Sequence, residues 1–110
     1  MTETLILASG SAIRATLLAR AEVPFTVQVA QIDEELVRSS LQAQHLSARD
    51  IADALAELKA QRVSNKNPDE LVLGCDQILD VAGFILAKPE NQSDLKLQLQ
   101  QLRGGEHRLH

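Results

Sequence analysis

The sequence predicts an α/β fold, in the broader α+β sense, in which helices flank a mixed, twisted sheet. Short apolar runs typical of strands alternate along the 110 residues with segments of helical periodicity. Only two residues are aromatic, although 45% are hydrophobic, so Leu, Ile, Val and Ala must build the core. A chain of this length suits one domain, and we expect a single domain over residues 1–110.

The chain opens with the pattern of a buried strand, a tight turn and a helix. Residues 5–8 form the predicted strand, the small polar turn Ser9-Gly-Ser11 follows, and Ser11 is suited to capping a helix to about Arg20. Backbone N–H groups and the dipole at a helix start favour an anion, and Arg14 adds a charged fork. Many α/β domains begin this way, so this pattern gains weight only from residues farther along the chain.

The middle of the chain contains two further predicted strands and a helix. Residues 23–29 have the composition of a strand, and we expect residues 30–46 to form a loop with a helical turn. Ser47 opens a capping box, which predicts a helix that runs to Val63. Residues 71–74 are the third predicted strand.

The last third of the chain predicts a hairpin and a helix. Residues 78–86 form the hairpin, which turns near Ala82 and Gly83, and residues 93–102 form the helix. Residues 108–110 have the pattern of a strand that is only beginning. We therefore expect the chain to be cut off rather than finished.

The net charge and the cysteine content indicate which binding partners and which cellular compartment fit this chain. The formal net charge of −4 argues against binding polymeric nucleic acid, although not against a single nucleotide whose charge a metal ion carries. Cys75 is the only cysteine, so no intramolecular disulfide can form and a reducing compartment fits. Because no signal peptide or membrane-spanning run is recognisable, we expect a cytoplasmic protein without a membrane partner.

Lys59 and Asp76 occupy positions that suit a chemical role. On the helix predicted to end at Val63, Lys59 falls inside the apolar arc. It either extends its ammonium to water at the edge of this arc or points into a cleft to bind an anion, and the pattern favours neither. Asp76 follows a predicted strand, where α/β folds place metal-binding and proton-accepting carboxylates, but an aspartate in a turn is the commoner interpretation.

Other charged residues become informative only in combination. Taken alone, Asp33 and Glu34 are solvated loop charges and Lys88 is a surface lysine. In combination, Arg14, Lys59 and Lys88 supply cations for an oligophosphate. Glu34 and Asp76 supply carboxylates for a metal and an attacking water, so together these residues provide what phosphoanhydride hydrolysis needs. Mg²⁺, or Mn²⁺ in its place, suits oxygen ligands shared between carboxylates and substrate phosphates.

Six short segments, spread along the chain in a fixed order, carry a family pattern. They are Leu7-Ala-Ser-Gly-Ser-Ala-Ile-Arg14, Ile32-Asp33-Glu34, Leu55-Ala-Glu-Leu-Lys59-Ala60, Gly74-Cys-Asp76-Gln77, Ala87-Lys88-Pro89 and Leu102-Arg-Gly-Gly-Glu-His107. In these segments the chain resembles the Maf family, nucleotide pyrophosphatases historically linked to septum formation. The resemblance implies a fold like that of the Maf and inosine-triphosphatase proteins.

The resemblance also implies an activity, the hydrolysis of a nucleoside triphosphate to the monophosphate and pyrophosphate. It makes Asp76 the general base or metal-linked carboxylate that activates water, and it makes Glu34 a second metal ligand. The catalytic residues it implies are Asp76, Glu34 and Lys59. The residues it implies for phosphate binding are Ser9, Ser11, Arg14, Lys59 and Lys88.

Positions 13 and 77 help to select the nucleobase in this family. Members with Gln at position 77 and Trp at position 13 resemble 7-methyl-GTP pyrophosphatases, whereas Thr and Arg at these positions accompany dTTP and UTP pyrophosphatases. Gln77 is similar to the first group, but Ile13 cannot stack on a base as Trp would. The preferred nucleotide therefore stays open.

The chain departs from the family most clearly in length. Family members are nearly twice as long, and their second half completes the sheet and one wall of the cleft. We expect only the N-terminal portion of the family fold here, which is either inactive or completed by a second copy in a homodimer. Two other interpretations stay open: a truncated, non-catalytic domain that binds nucleotide or a division-related partner, and a generic interaction domain, which predicts Lys59 and Asp76 far apart.

Overall fold

The computed structural model describes residues 4–110, and it confirms the predicted α/β class. Within these residues, helices and strands alternate in the first two thirds of the chain and a hairpin follows. The elements are β1 (Leu5–Leu7), α1 (Ala12–Arg20), β2 (Phe25–Val27), α2 (Glu34–Ala43), α3 (Ala48–Lys66), β3 (Leu71–Leu73), β4 (Leu79–Val81), β5 (Phe84–Leu86), α4 (Gln92–Leu102) and β6 (Arg108–Leu109).

The strands form two small sheets rather than the single mixed sheet that we expected. One sheet is parallel, with the order β2-β1-β3, and the other is antiparallel, with the order β5-β4-β6. The strands separate because both edges of β4 are already occupied. A short turn pairs β4 with β5, and two backbone hydrogen bonds of 2.9 Å join Ile78 to His110 on the other side.

Helix α2 corrects the prediction of a loop over residues 30–46. Asp33 caps this helix, since its Oδ1 accepts a hydrogen bond of 3.1 Å from the backbone N–H of Leu36. Acidic residues in the first turn are also stabilised by the positive end of the helix dipole. One turn apart, Val37 and Leu41 pack against the core, so the segment buries an apolar face as a helix would.

Helix α3 connects two hydrophobic clusters, and it runs to Lys66 rather than ending at Val63. Near its start, Ile51 and Leu55 pack with Ile78 and with apolar residues of α2. Near its end, Val63 packs with Ile6 of the parallel sheet. Lys59 lies on the same buried face, between Leu55 and Val63.

The hairpin and the last strand agree with the sequence prediction. β4 and β5 pair across Ala82 and Gly83, whose φ angles of 51° and 89° are both positive. Two positive φ angles are typical of the type I′ turn, whose twist matches that of the paired strands. β6 forms at Arg108–Leu109, where the sequence predicted the beginning of a strand.

Candidate functional site

The candidate site lies at the carboxyl edge of the parallel sheet. The chain goes from β1 to β2 on one side and to β3 on the other, so the strand order reverses between β1 and β3. Open α/β sheets bind ligands at this kind of switch point. Ser9 follows β1 and Asp76 follows β3, so both residues emerge at this point of the edge.

The turn after β1 forms a hydrogen-bonded loop closed by Arg14. The side chain of Ser9 is buried, and its Oγ accepts bonds of 3.2 Å from the backbone N–H of Ser11 and from Nη1 of Arg14. Ser11 caps α1, as predicted, by accepting from the backbone N–H of Arg14 at 3.4 Å. Nη1 of Arg14 also donates to the carbonyl oxygen of Cys75 at 3.1 Å. Arg14 therefore connects the loop after β1 to the segment after β3.

Lys59 points into a cluster of carboxylates and does not extend to water. It is only 7% exposed, and its Nζ lies 2.5 Å from Oε1 of Glu34 and 3.0 Å from Oδ1 of Asp76. The same ammonium donates to the carbonyl oxygen of Cys75 at 3.4 Å. The contact with Asp76 contradicts the interpretation as a generic interaction domain, which required the two residues to be far apart. We call Arg14, Glu34, Lys59 and Asp76 the ionic cluster.

The surroundings of Lys59 keep its ammonium protonated. Burial by itself would lower the pKa of Lys59, but the hydrogen bonds and charges of Glu34 and Asp76 outweigh it and raise the pKa above the ordinary 10.5. At neutral pH Lys59 is therefore a fixed positive charge and cannot serve as a general base.

Gly74 sets how closely the segment after β3 approaches helix α3. A Cβ atom at this position would lie 2.2 Å from the carbonyl oxygen of Ala56 and 2.8 Å from the Cβ of Ala60. Real Cβ atoms do not approach other atoms so closely, so only glycine fits against the helix here. This contact brings the carbonyl of Cys75 and the carboxylate of Asp76 to the level of Lys59.

Three predicted site residues belong neither to the ionic cluster nor to the loop after β1 that Arg14 closes. Lys88 follows β5 and is exposed, Gln77 is exposed beside Asp76, and Ile13 is 71% exposed in the first turn of α1. Within residues 4–110, no hydrogen bond or ion pair joins these side chains to the cluster. The structure thus brings Ser9, Ser11 and Arg14 together with Glu34, Lys59 and Asp76, while Ile13, Gln77 and Lys88 remain on the surface.

Sequence reasoning missed two contributors to the site. The glycine two positions before Asp76 was a usable signal for the close approach at Gly74. The carbonyl of Cys75 had no signal, because every residue carries the same backbone oxygen. It nevertheless accepts hydrogen bonds from both Arg14 and Lys59 and so holds the two cations beside each other.

The donor atoms of the cluster suit a hard divalent cation. Glu34 and Asp76 offer carboxylate oxygens, and Mg²⁺ commonly takes one or two carboxylates and fills its other positions with water and phosphate oxygens. Across residues 4–110, no three His, Cys, Asp or Glu side chains gather into a group that could hold a metal ion. Glu34 and Asp76 are the carboxylates of the ionic cluster that could serve as metal ligands. No helix in the same residues has the length and apolar character to cross a bilayer.

Comparison with known proteins agrees with the six sequence segments. The model of the Maf-like protein family matches residues 4–110. A nucleoside triphosphate pyrophosphatase of Ruegeria pomeroyi is 53% identical over 109 residues, which are 99% of this chain and 55% of the relative. One from Paramagnetospirillum magneticum is 45% identical over 104 residues, or 94% of this chain and 54% of the relative.

A differently named relative matches the chain over the same extent. A 7-methyl-GTP pyrophosphatase of Brucella abortus is 41% identical over 109 residues, again 99% of this chain and 55% of the relative. The chain thus spans about half the length of the curated relatives it matches. Since the family model covers nearly every residue, the chain belongs to the Maf-like protein family.

Proposed function

We propose that this chain supplies the phosphate-binding and water-activating part of a nucleoside triphosphate pyrophosphatase. The observation that carries the proposal is the convergence of two cations and two carboxylates at one point of the sheet edge. Arg14 and Lys59 share the carbonyl of Cys75, and the ammonium of Lys59 lies 3.0 Å from Asp76. The names of the relatives from Ruegeria pomeroyi and Paramagnetospirillum magneticum support the same activity.

In the proposed reaction, water attacks the α-phosphorus of the nucleotide. A new bond joins the water oxygen to this phosphorus, the bond to the oxygen that bridges to the β-phosphorus breaks, and pyrophosphate leaves with that electron pair. Asp76 accepts the proton of the attacking water. Lys59 and Arg14 stabilise the charge that develops on the phosphates, because both are fixed cations in a partly buried site.

The remaining phosphate contacts come from the loop after β1 and from Lys88. The backbone N–H groups at the start of α1, with Ser9 and Ser11, form an anion-binding turn. Lys88 would approach the phosphates from the end of β5. Glu34 and Asp76 would hold a Mg²⁺ or Mn²⁺ ion together with the phosphate oxygens, and such an ion, when bound, supplies charge neutralisation and activation of water.

We propose a modified guanine nucleotide as the preferred substrate. Gln77 is the residue that supports this preference, as does the 7-methyl-GTP pyrophosphatase of Brucella abortus. Ile13 gives less cover to a base than an aromatic residue would, so we expect broad rather than strict selection. We further propose a cytoplasmic role in removing unwanted nucleotides, with a second copy of the chain as a candidate partner.

Release of pyrophosphate from a panel of nucleoside triphosphates tests the proposal. The panel contains 7-methyl-GTP, dTTP and UTP with Mg²⁺, and the variants are Asp76→Asn and the matched control Asp69→Asn in an exposed loop. We expect release that Asp76→Asn abolishes and Asp69→Asn leaves unchanged. Equal release from all three proteins contradicts the assignment of Asp76. Nucleotide binding without release from any member supports the alternative, a non-catalytic nucleotide-binding domain.

A further inference from the structure

We infer that the ammonium of Lys59 occupies the divalent-cation position of the site until a nucleotide binds. The inference rests on the proposed function and adds a form of regulation to it. Its basis is that one Nζ atom contacts Oε1 of Glu34 at 2.5 Å and Oδ1 of Asp76 at 3.0 Å, which are the two carboxylates suited to a metal. The ammonium of Lys59 thus bridges the two carboxylates that a divalent ion would bind.

Lys59 and a divalent ion compete for the same position between Glu34 and Asp76. Mg²⁺ requires nearly octahedral geometry with oxygens at about 2.0–2.1 Å, so an ammonium in contact with the same oxygens blocks its approach. The two cations also repel each other strongly at this separation. Although each carboxylate has a second oxygen, an ion that bridges Glu34 and Asp76 at the position of Nζ requires Lys59 to leave at least one of them.

Lys59 cannot leave for bulk water without losing its surroundings. It projects from the middle of α3, with Leu55 and Val63 one turn away on either side, and only 9% of its side chain is exposed. Its other partner is the carbonyl of Cys75, which also binds Arg14. A displaced ammonium therefore keeps the carbonyl of Cys75 as a partner, beside Arg14, on the side where the proposed phosphates lie.

A bound triphosphate favours the replacement of Lys59 by a divalent ion at the two carboxylates. Its oxygens give Lys59 a new anionic partner near Arg14, and they complete the coordination of an ion on Glu34 and Asp76. Nucleotide and divalent ion consequently strengthen each other's binding, while the ion alone binds weakly. The ion pairs of Lys59 therefore weaken metal binding in the absence of substrate.

Direct titration with Mn²⁺, followed by electron paramagnetic resonance in the absence of nucleotide, tests the inference. The variants are Lys59→Met, which removes the competing charge, and Lys66→Met, which removes an exposed charge from the same helix. Lys59→Met is expected to bind Mn²⁺ at least about tenfold more tightly than the unmodified chain, because a like charge in contact with the site is gone. Lys66→Met should bind within about twofold of the unmodified chain, since exposed charges are screened. Equal affinities of Lys59→Met and Lys66→Met overturn the inference, as does the same tight binding when Asp76→Asn is added to Lys59→Met.

A measurement on the unmodified chain keeps the test decisive if Lys59→Met does not fold. Nitrogen NMR of the lysine Nζ groups should show the Lys59 signal shifting as Mg²⁺ saturates the site, with Lys66 unchanged. Saturation without any shift of Lys59 overturns the inference. The pyrophosphate assay tests the proposed function separately. If Lys59→Met binds Mn²⁺ more tightly but the unmodified chain releases no pyrophosphate, the proposed activity is wrong and the competition for the metal position stands. If the unmodified chain releases pyrophosphate but Lys59→Met does not bind Mn²⁺ more tightly, the competition is wrong and the proposed activity stands.

Discussion

Lys59 is a charged residue in a position that the fold otherwise gives to apolar side chains. Ile51, Leu55 and Val63 share its buried face, so its ammonium must be matched by partners that compensate for the lost water. The two partners differ in exposure, since the side chain of Asp76 is 12% exposed and that of Glu34 is 48% exposed. The pair with Asp76 should therefore contribute more to stability than the pair with Glu34.

Substitution of the two carboxylates by amides should reveal this difference. We expect Asp76→Asn to lower the free energy of unfolding by about 3 kcal/mol, because it leaves a buried ammonium without its buried partner. Glu34→Gln should lower it by about 1 kcal/mol or less, as is usual for a half-exposed pair. Urea denaturation at neutral pH measures both values. Equal losses for the two variants would contradict the argument from exposure.

The raised pKa of Lys59 predicts how stability depends on alkaline pH. Because the folded pKa lies above the ordinary 10.5, the ion pairs contribute fully below that value. Their contribution is lost as the pH rises through the raised pKa. Unfolding free energies between pH 9 and 12 should fall more steeply for the unmodified chain than for Lys59→Met. Parallel curves would show that Lys59 does not titrate as described.

At the level of elements, two short connections restrict which residues can occupy them. The turn at Ala82 and Gly83 needs positive φ at both positions, and alanine adopts this conformation only with strain. The end of β3 needs Gly74, where helix α3 leaves no room for a side chain. Changes at the two positions should act in opposite directions on stability.

Ala82→Gly should stabilise the hairpin. Glycine adopts the observed φ of 51° without steric cost, and the gain should be about 0.5–1 kcal/mol after its greater entropy in the unfolded chain is subtracted. The change in thermal midpoint measures the effect. Phe84→Leu, beside the turn on a 74% exposed side chain, is the control and should stay within about 0.5 kcal/mol. A loss of stability in Ala82→Gly would contradict the assigned turn.

Gly74→Ala should destabilise the fold and disturb the ionic cluster. The added Cβ would meet the backbone of Ala56, which cannot move aside as a flexible side chain would, and we expect a loss of about 1–3 kcal/mol. Gly105→Ala is the matched control, since a Cβ there would meet its nearest neighbour at 4.0 Å. Denaturation measures stability, and the NMR signal of the Lys59 Nζ group reports on the cluster. If Gly74→Ala is destabilised but the Lys59 signal is unchanged, Gly74 does not position the ionic cluster.

Periodicity and capping predicted the helices and strands better than they predicted how the strands associate. The turn residues of the hairpin and the serine caps were local signals, and their elements began where expected, although α3 runs to Lys66 rather than Val63. Helix α2 also carries local signals, namely a capping Asp33 and the apolar residues Val37 and Leu41 four positions apart, and the prediction of a loop gave them too little weight. The division into two sheets depends on which strand edges are free, and this information is not local.

The candidate site was predictable in its residue types but not in its geometry. Lys59 stood out because a charge interrupts an apolar arc, and Asp76 stood out because it follows a strand. Their contact with each other, and the carbonyl of Cys75 that links Lys59 to Arg14, depend on the approach of β3 to α3. The spacing of residues in the sequence does not predict how closely β3 approaches α3.

At the scale of the whole molecule, α3 joins two apolar clusters that lie one after the other along its length. The radius of gyration is 15.9 Å and the extents are 51 × 32 × 22 Å, so the chain is more elongated than a compact domain of about 13 Å radius of gyration. Lys59 lies between the two clusters. The site is therefore held by the same helix that holds the fold together.

Leu55→Ala should weaken both clusters and not only the one that contains it. Leu55 is 1% exposed, and its truncation should cost about 2–5 kcal/mol. Because α3 is shared, amide hydrogen exchange should accelerate in the parallel sheet at Ile6 as well as at Ile78. Faster exchange at Ile78 alone would mean that the two clusters unfold independently.

The central claim is that the loop after β1, the start of α2, the middle of α3 and the end of β3 together bind one triphosphate. The most direct test is an experimental structure with Mg²⁺ and a nucleotide whose α–β bridging oxygen is replaced by a methylene group. We predict phosphate oxygens within hydrogen-bond distance of Arg14 and Lys59, with Asp76 beside the α-phosphorus. Phosphates bound elsewhere, for instance in the shallow cleft lined by Asp80, His107 and Arg108, would contradict the account.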